Sequence, residues 1–255
     1  MRISVEFFAP DEIFLPWDYL DWLRGIFYRA MERGRPKLAR EVHDEGFSGG
    51  GKRYKLATFS LLYPEQYERT PGGLRARGRL RWWVSSPLEP LIEALALGLL
   101  MRPEIRLGAS VLHVGQIGVL LPPTFAETMT LMTLSPIFAS TGSRDAEGRF
   151  RKRFLSPAEP DFARVLVENL KRKALAIYGE APEGELQFEW LSEPRSKLMR
   201  VNETDVRGWM LSFRVSGSLD LIRLGYDAGF GERNAQGFGM VCLPHEHPTS
   251  SRQRA

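Results

Sequence analysis

The sequence predicts an α+β chain of two tandem ferredoxin-like (βαββαβ) units, each an antiparallel sheet backed by two helices. Three observations lead there. Segments whose apolar residues alternate with a period of two are interleaved with segments of period three to four, in the order strand, helix, strand, strand, helix, strand. That order occurs twice. Between the occurrences lies "PPTFAE", whose paired prolines continue neither a ladder nor a helix. At 255 residues the chain can bury two cores of ordinary size. The expected division is 1–121, a linker at 122–126, a second unit at 127–244 and a disordered tail, "HEHPTSSRQRA", at 245–255.

The elements follow in order. "RISVEFFAP" alternates as a half-buried strand does, and a helix follows from Pro16 to Arg33, with Leu20, Leu23, Phe27 and Ala30 on one stripe and Gly34 as its stop. Residues 36–45 read as a short helical turn, broken by Gly46 and the flexible run "SGGG". Two strands, "KLATFSLLY" and "GLRARGRLRWWV", turn at "TPGG". "SPLE" marks a helix start with Ser86 as N-cap, Pro87 at the first position and Glu89 completing a capping box; strand "EIRLGASVLHVGQIGVLL" closes the unit. The second unit repeats the plan with strand "TMTLMTLSPIFA", helix "PDFARVLVENLKRKALAIYG", strands within "ELQFEWL" and "RGWMLSFRVSG", helix "SLDLIRLGYDAG" and strand "FGMVCLP".

Composition narrows the function classes. The single cysteine, Cys242, excludes an intramolecular disulfide and a Cys-rich zinc site. No apolar run is long enough to span a bilayer and no export signal is evident, so a soluble cytoplasmic protein without a membrane partner is expected. The net charge is only +4, but 28 of the 35 basic residues are arginine, whose planar fork suits phosphate and stacked bases. Arginine richness also follows from genome base composition, so it is a weak footprint of a polyanionic partner.

Several residues are candidates for chemistry. "GFSGGGK" fits the opening of a phosphate-binding loop, but Arg53 stands where a Ser or Thr should hold magnesium, and the flanking order is helix, loop, strand. A nucleotide loop is therefore not expected. On the strand "RARGRLR", Arg75, Arg77, Arg79 and Arg81 share one face, where four like charges repel unless an anion lies against them. A phosphate backbone fits that face. His43 sits in a polar, glycine-rich stretch with no apolar stripe to bury it, and an imidazole exchanges protons at neutral pH. His113, inside an apolar strand, reads as packed; His245 and His247 lie on the tail, where they could take metal adventitiously. Tyr28 lies off the apolar stripe of its helix, either as an amphipathic edge residue or as a functional one.

"GFGERNAQGFGMV" spends four glycines, Gly229, Gly231, Gly237 and Gly239, around Arg233 and Asn234. Asn234 occupies the place of the third glycine of a dinucleotide fingerprint, and the loop leaves a helix for a strand, so that reading fails. Removing Cβ atoms from both limbs lets a bulky ligand touch the backbone, with Arg233 and Asn234 placed to grip it.

With the G-Φ-G, five residues, G-Φ-G spacing, His43 shortly before "KLATFS", the "LGLLMRPEIRLG" segment and "LSPI" opening the second half, the chain resembles the CRISPR-associated endoribonucleases of the RAMP superfamily, which cut the repeats of precursor CRISPR RNA. The resemblance runs along nearly the whole chain and implies the same tandem fold. It implies a catalytic Tyr28, His43 and Lys55, with Lys52 a rival for the lysine because the loop between His43 and Lys55 is longer here. It implies cleavage without metal or other cofactor, by attack of the ribose 2′-OH on the adjacent phosphorus, with His43 and Tyr28 dividing the roles of base and acid in either order. The implied partners are CRISPR repeat RNA, subunits of a CRISPR interference complex and a second copy of the chain. A non-cleaving RAMP subunit that only holds guide RNA shares the fold and the loop but has no use for His43.

Overall fold

The structure is a computed structural model that describes residues 1–144, 147–201 and 204–248. β1 (Arg2–Pro16) leads into α1 (Leu20–Gly34), α2 (Pro36–Arg40) and a π turn at Glu41–Glu45. A small hairpin of β2 (Phe47–Gly49) and β3 (Lys52–Tyr54) follows, then β4 (Thr58–Phe59), β5 (Tyr63–Thr70), β6 (Gly73–Ser85), α3 (Glu89–Met101), β7 (Glu104–Leu107) and β8 (Ser110–Leu120). Side by side, the strands run β5, β6, β1, β8, β7, with β4 extending the β5 edge along the end of β6. Counting β1, β5, β6 and β8 as first to fourth gives the 2-3-1-4 arrangement of a ferredoxin-like unit, antiparallel throughout.

The second half continues with β9 (Thr128–Thr133), β10 (Ser140–Arg144), β11 (Phe150–Phe154), α4 (Pro160–Tyr178), β12 (Leu186–Trp190), β13 (Arg195–Val201), β14 (Thr204–Met210), β15 (Ser212–Gly217), α5 (Leu219–Ala228) and β16 (Val241–Cys242). Its sheet runs β12, β15, β9, β16, the same arrangement again. Each sheet has its own core, one built around Phe7, Phe27 and Trp82 and the other around Phe162, Phe213 and Phe230.

The helix stripe read from the sequence is buried: Leu20, Leu23, Phe27 and Ala30 are each fully enclosed. Gly34 is more than a stop. A Cβ there would lie 2.0 Å from the carbonyl oxygen of Ala94, and one on Gly98 would lie 1.8 Å from that of Ala30, so α1 and α3 touch backbone to backbone. That contact seats both helices on the first sheet.

Several elements depart from the sequence expectation. The stretch 55–62 is irregular apart from β4, because its backbone partners are scattered: Ser60 N–H donates to the Trp83 carbonyl at 2.9 Å, Leu62 N–H to the Tyr19 hydroxyl at 3.1 Å, and Leu61 N–H crosses to the Leu134 carbonyl of the second half at 3.1 Å; the strand that turns at "TPGG" is β5. The helix after "SPLE" starts at Glu89 rather than Pro87, since the Ser86 hydroxyl accepts from the Leu88 N–H at 3.0 Å and donates to the Leu56 carbonyl at 2.7 Å. Gly108, at φ +62°, splits the expected strand 104–121 into the β7–β8 hairpin. The run "SGGG" is not a loose loop: Gly50 and Gly51, both at positive φ, close the two-residue turn of the β2–β3 hairpin, and Gly49 packs against the α4 backbone. His113 is exposed, opposite Phe8 on the sheet face. His247 is buried with its ring edge-on to Tyr63, so the tail is seated through at least residue 248, and residues 249–255 lie outside those described. No described helix is long and apolar enough to cross a membrane.

The halves are joined by buried polar contacts. Arg2 on β1 is 4% exposed; its guanidinium donates to the carbonyls of Val241 at 2.7 Å and Tyr226 at 2.6 Å and lies over the Tyr226 ring. Trp83 from the first sheet joins Leu134, Met240 and Cys242 from the second half of the chain in a small apolar cluster.

Gly98→Ala is expected to destabilise the fold by about 1–3 kcal/mol, because the added methyl meets backbone that cannot yield. Urea unfolding of the two chains side by side checks this; an unchanged midpoint would mean that α1 and α3 are not in backbone contact.

Candidate active site

His43 lies in the π turn that ends the α2 segment. Pro36 starts that segment, Val42 anchors it in the first core, and Gly46, at φ +62°, ends it. Anchored by its neighbour, the His43 side chain remains 65% exposed. Its Nδ1 is 2.9 Å from Asp44 Oδ1, a bond that puts the ring proton on Nδ1 and leaves the Nε2 lone pair open. Tyr28 meets the imidazole edge-on, with ring centroids 5.2 Å apart and planes at 90°. The Tyr28 phenol is raised above its ordinary range, chiefly by burial, against a smaller opposing effect of Arg24. It is therefore a neutral O–H at working pH.

Lys55 comes to the same place from the chain entering β4. Its ammonium donates to the Val42 carbonyl at 2.6 Å and to the carbonyl of His43 itself, tying down the turn that carries the imidazole. Burial lowers its pKa, with Asp44 opposing the shift. The rival lysine is placed differently: Lys52, on β3, is half exposed and 3.6 Å from Glu232 of the glycine loop.

In the glycine loop the expectation needs correction. All four glycines have positive φ, and all four are buried against the protein itself. A Cβ on Gly239 would lie 2.0 Å from the Phe230 carbonyl oxygen, and one on Gly231 would lie 2.4 Å from that of Phe138. On Gly229 it would crowd Thr58, and on Gly237 the rings and methyls of Phe59 and Leu20. The small residues let the two limbs fold onto each other and onto the first half. They do not clear a path for an outside ligand. Asn234 is the staple between the limbs: it is 8% exposed, and its amide donates to the carbonyls of Phe230 at 3.2 Å and Phe238 at 3.0 Å. From the opposite side Lys173 of α4, buried, donates to the Gly229 carbonyl at 2.6 Å and that of Gly231 at 3.1 Å. Burial pulls the Lys173 ammonium down to about 7, with Glu232 opposing.

With its backbone turned inward, the loop offers its apex, Arg233 to Gln236, to a cleft of about 580 Å³. The same cleft is lined by Tyr28, His43, Lys52, Arg53 and Lys55 from the first half and by Lys152, Asn169 and Lys173 from the second. Two residues far apart in sequence and expected to serve one substrate, His43 and Arg233, thus share one cavity. The non-glycine residues at positive φ among those described, Leu56 (+51°) and Arg233 (+59°), both line it, and backbone strain of this kind gathers where a site is held in shape. Among the described residues no three His, Cys, Asp or Glu side chains gather as a metal site.

Lys152, Asn169, Lys173 and Glu232 were not legible as site residues. One signal was available: Lys173 falls on the apolar stripe of its helix, beside Leu166, Leu170 and Ala174, where a lysine is unexpected. The arginine face of β6 lies elsewhere, on the outer side of the first sheet. Arg75, Arg79 and Arg81 stand 3.8, 3.7 and 3.6 Å from Glu12, Glu6 and Glu65, while Arg77 donates to the neutral Gln66 at 2.8 Å. The anion that relieves the crowding of charge is thus mostly the protein's own carboxylates.

Residues 14–117 match the family described as CRISPR-associated protein Cas6, N-terminal, and residues 120–243 match CRISPR associated protein Cas6, C-terminal. The chain is 32% identical over 230 residues to the CRISPR-associated endoribonuclease Cas6 of Pyrococcus furiosus, covering 89% of this chain and 83% of the relative. The chain belongs to the Cas6 family. A second relative, CRISPR-associated endoribonuclease Cas6 1 of Methanocaldococcus jannaschii, is 32% identical over 243 residues, covering 94% of this chain and 92% of its own. A solved structure described as CRISPR associated protein Cas6 superposes with a TM-score of 0.81 at 32% identity, covering 95% of this chain and 98% of that one. The tandem ferredoxin-like fold is therefore that of Cas6 and RAMP proteins.

Lys173 makes folding depend on pH. Its folded pKa is about 7, below the ordinary lysine value, so between pH 7 and 10 the unfolded chain binds the extra proton and stability rises with pH. Relative to Lys173→Met, the wild-type chain is expected to gain up to about 1.4 kcal/mol per pH unit above pH 7. Urea unfolding at pH 7, 8 and 9 measures this; parallel curves for the two chains would show that Lys173 is not desolvated.

Proposed function

We propose that the chain is a metal-independent endoribonuclease that cuts within the repeats of precursor CRISPR RNA. The observation that carries this reading is the meeting of His43 and Tyr28 with the apex of the glycine loop in one basic cleft. Family membership supports it, since curated relatives at 32% identity are named endoribonucleases.

The reaction needs one proton removed and one supplied. With its ring proton engaged by Asp44, His43 uses Nε2 to take the proton of the ribose 2′-OH. The 2′-oxygen attacks the adjacent phosphorus, and the bond from phosphorus to the 5′-oxygen breaks. The leaving oxygen, far more basic than a phenolate, takes its proton from Tyr28, and the imidazolium restores the phenol. The products are a 2′,3′-cyclic phosphate and a 5′-hydroxyl. Lys55 holds the His43 turn and turns its remaining N–H toward the phosphate, while Lys52, Arg53 and Arg233 balance the charge that grows on the phosphorane oxygens. Sequence-independent grip comes from the rim of the cleft and from the β6 arginines. Their exposed ion pairs are each worth no more than about 1 kcal/mol and are readily exchanged for phosphates.

His43→Ala is expected to slow cleavage of an end-labelled repeat RNA by about 10²–10⁴-fold while binding survives. EDTA should leave the wild-type rate unchanged, and a 2′-deoxy nucleotide at the cut position should block the reaction. Dependence on added magnesium, or full activity without the imidazole, would refute the mechanism. Binding without any cut product would favour a chain that only holds guide RNA. Arg77 is the test of the outer face, because its partner is neutral: Arg77→Ala is expected to weaken binding and to lower the slope of log K against log salt by about 1. A slope equal to wild type would remove that face from the RNA path.

A further inference from the structure

Of the buried side-chain polar atoms lining the cleft, two lack a hydrogen-bond partner among the described residues, the Tyr54 hydroxyl, which can rotate to find one, and the Asn169 Oδ1, which can only accept. Asn169 lies on α4, one turn before Lys173, so the two side chains share a face of the helix. Both are buried, at 3% and 2% exposure, and both line the cleft that holds His43 and Tyr28. Lys173 spends its protons on the glycine-loop carbonyls. The Asn169 Oδ1, by contrast, has no hydrogen-bond partner among the described residues.

Such an atom is costly. A buried acceptor without a donor destabilises the folded chain, whereas a leucine of similar shape would fill the same space at no such cost and favour the helix as well. The carboxamide makes sense when a hydrogen-bond donor, an N–H or an O–H, enters the cleft. The ligand cannot present a phosphate there, because a phosphodiester has no proton to give. The cleft separates these tasks by chemistry: Lys52, Arg53, Lys152 and Arg233 are suited to the anionic backbone, and the neutral Asn169 is suited to a base. An asparagine carboxamide sets an acceptor beside a donor, which the edge of an unstacked nucleobase can meet with two groups at once and a ribose hydroxyl with only one.

We propose that Asn169 is a specificity-determining residue, whose Oδ1 accepts a hydrogen bond from the exocyclic amino group of one nucleobase of the bound RNA, next to the scissile phosphate. This rests on the ribonuclease reading above for the identity of the ligand. It adds a sequence-reading contact, made by the second half of the chain, to a cleft whose proton-transfer groups come from the first.

The test uses the full chain and the repeat RNA of an array from the same genome, in a series where each nucleotide flanking the cut is replaced singly by an analogue lacking one donor. Purine riboside replaces adenosine, inosine replaces guanosine, zebularine replaces cytidine, and a parallel series carries single 2′-deoxy substitutions. Binding is measured in a His43→Ala background, so that the RNA stays intact, with and without Asn169→Leu. Cleavage is measured in parallel with His43 present. One analogue is expected to weaken binding to the chain with Asn169 by about 5- to 150-fold. Asn169→Leu should weaken binding of the natural RNA by a similar factor and be indifferent to that analogue. A purely structural role for Asn169 would lower binding of every RNA alike and leave each analogue penalty in place.

Three outcomes would overturn the assignment: analogue penalties that persist in Asn169→Leu, natural RNA bound equally well by both chains, or a lost sensitivity that falls on a 2′-deoxy position. Failure of the ribonuclease reading would look different. There the His43-containing chain would leave the RNA uncut, and the binding series would still decide whether Asn169 reads a base.

Discussion

The structure depends on one clasp. Residues 229–239 fold back on themselves because Asn234 bridges the carbonyls of Phe230 and Phe238 and Lys173 draws in those of Gly229 and Gly231. The glycines let this happen at backbone contact distance. The folded loop then meets the first half, where the Thr58 hydroxyl donates to the Phe238 carbonyl at 3.0 Å and Gly237 leaves room for Phe59 and Leu20. The order of cause is physical. Without the clasp the buried carbonyls of the loop lose their donors, and the surface that seats the loop on β4 and α1 is lost with them.

Position follows from the clasp. Arg233 is forced to a positive φ at the apex, and that apex faces the turn carrying His43. The first half meets it with the Lys55 ammonium holding the His43 carbonyl and with the β2–β3 hairpin docked on α4 through Gly49. Lys52 reaches Glu232 from that hairpin, and Lys152 reaches it at 3.8 Å from β11. Among the described residues that line the cleft Glu232 is thus the one acid amid several cations, and it holds an otherwise repulsive cluster together. Arg2 performs a similar service at the other end of the interface, where its buried guanidinium satisfies two carbonyls of the second half.

Much of the fold was legible because it depends on local periodicity. The α1 stripe, the α4 and α5 helices and the inward alternation of Leu74, Ala76, Leu80 and Trp82 between the β6 arginines are all properties of neighbouring residues. The misreadings have a common cause. Residues 55–62 alternate like a strand yet their backbone bonds scatter to Trp83, Tyr19 and, in the second half, Leu134, Ser86 places its hydroxyl on Leu56 and Leu88 rather than on a helix cap, and His247 leaves the expected tail to pack on Tyr63. In each case a partner distant in sequence outbid the local preference.

For the site, the sequence by itself determined which residue types were available and in what spacing: a histidine in a glycine-rich turn, a tyrosine off its helix stripe, and four glycines around Arg233 and Asn234. Only the tertiary structure decided what they face. Glycine spacing says that something lies close to the backbone, but whether it is a ligand or the protein depends on contacts between residues more than a hundred positions apart, such as Thr58 with Phe238. Charge on the β6 face was likewise legible, and its compensation by Glu6, Glu12 and Glu65 was not, because pairing partners are set by strand register across the sheet. Asn169 and Lys173 were hidden for the same reason: a polar residue on a buried helix face acquires its meaning from the cleft that opens beside it, and that cleft exists only once the two halves are clasped.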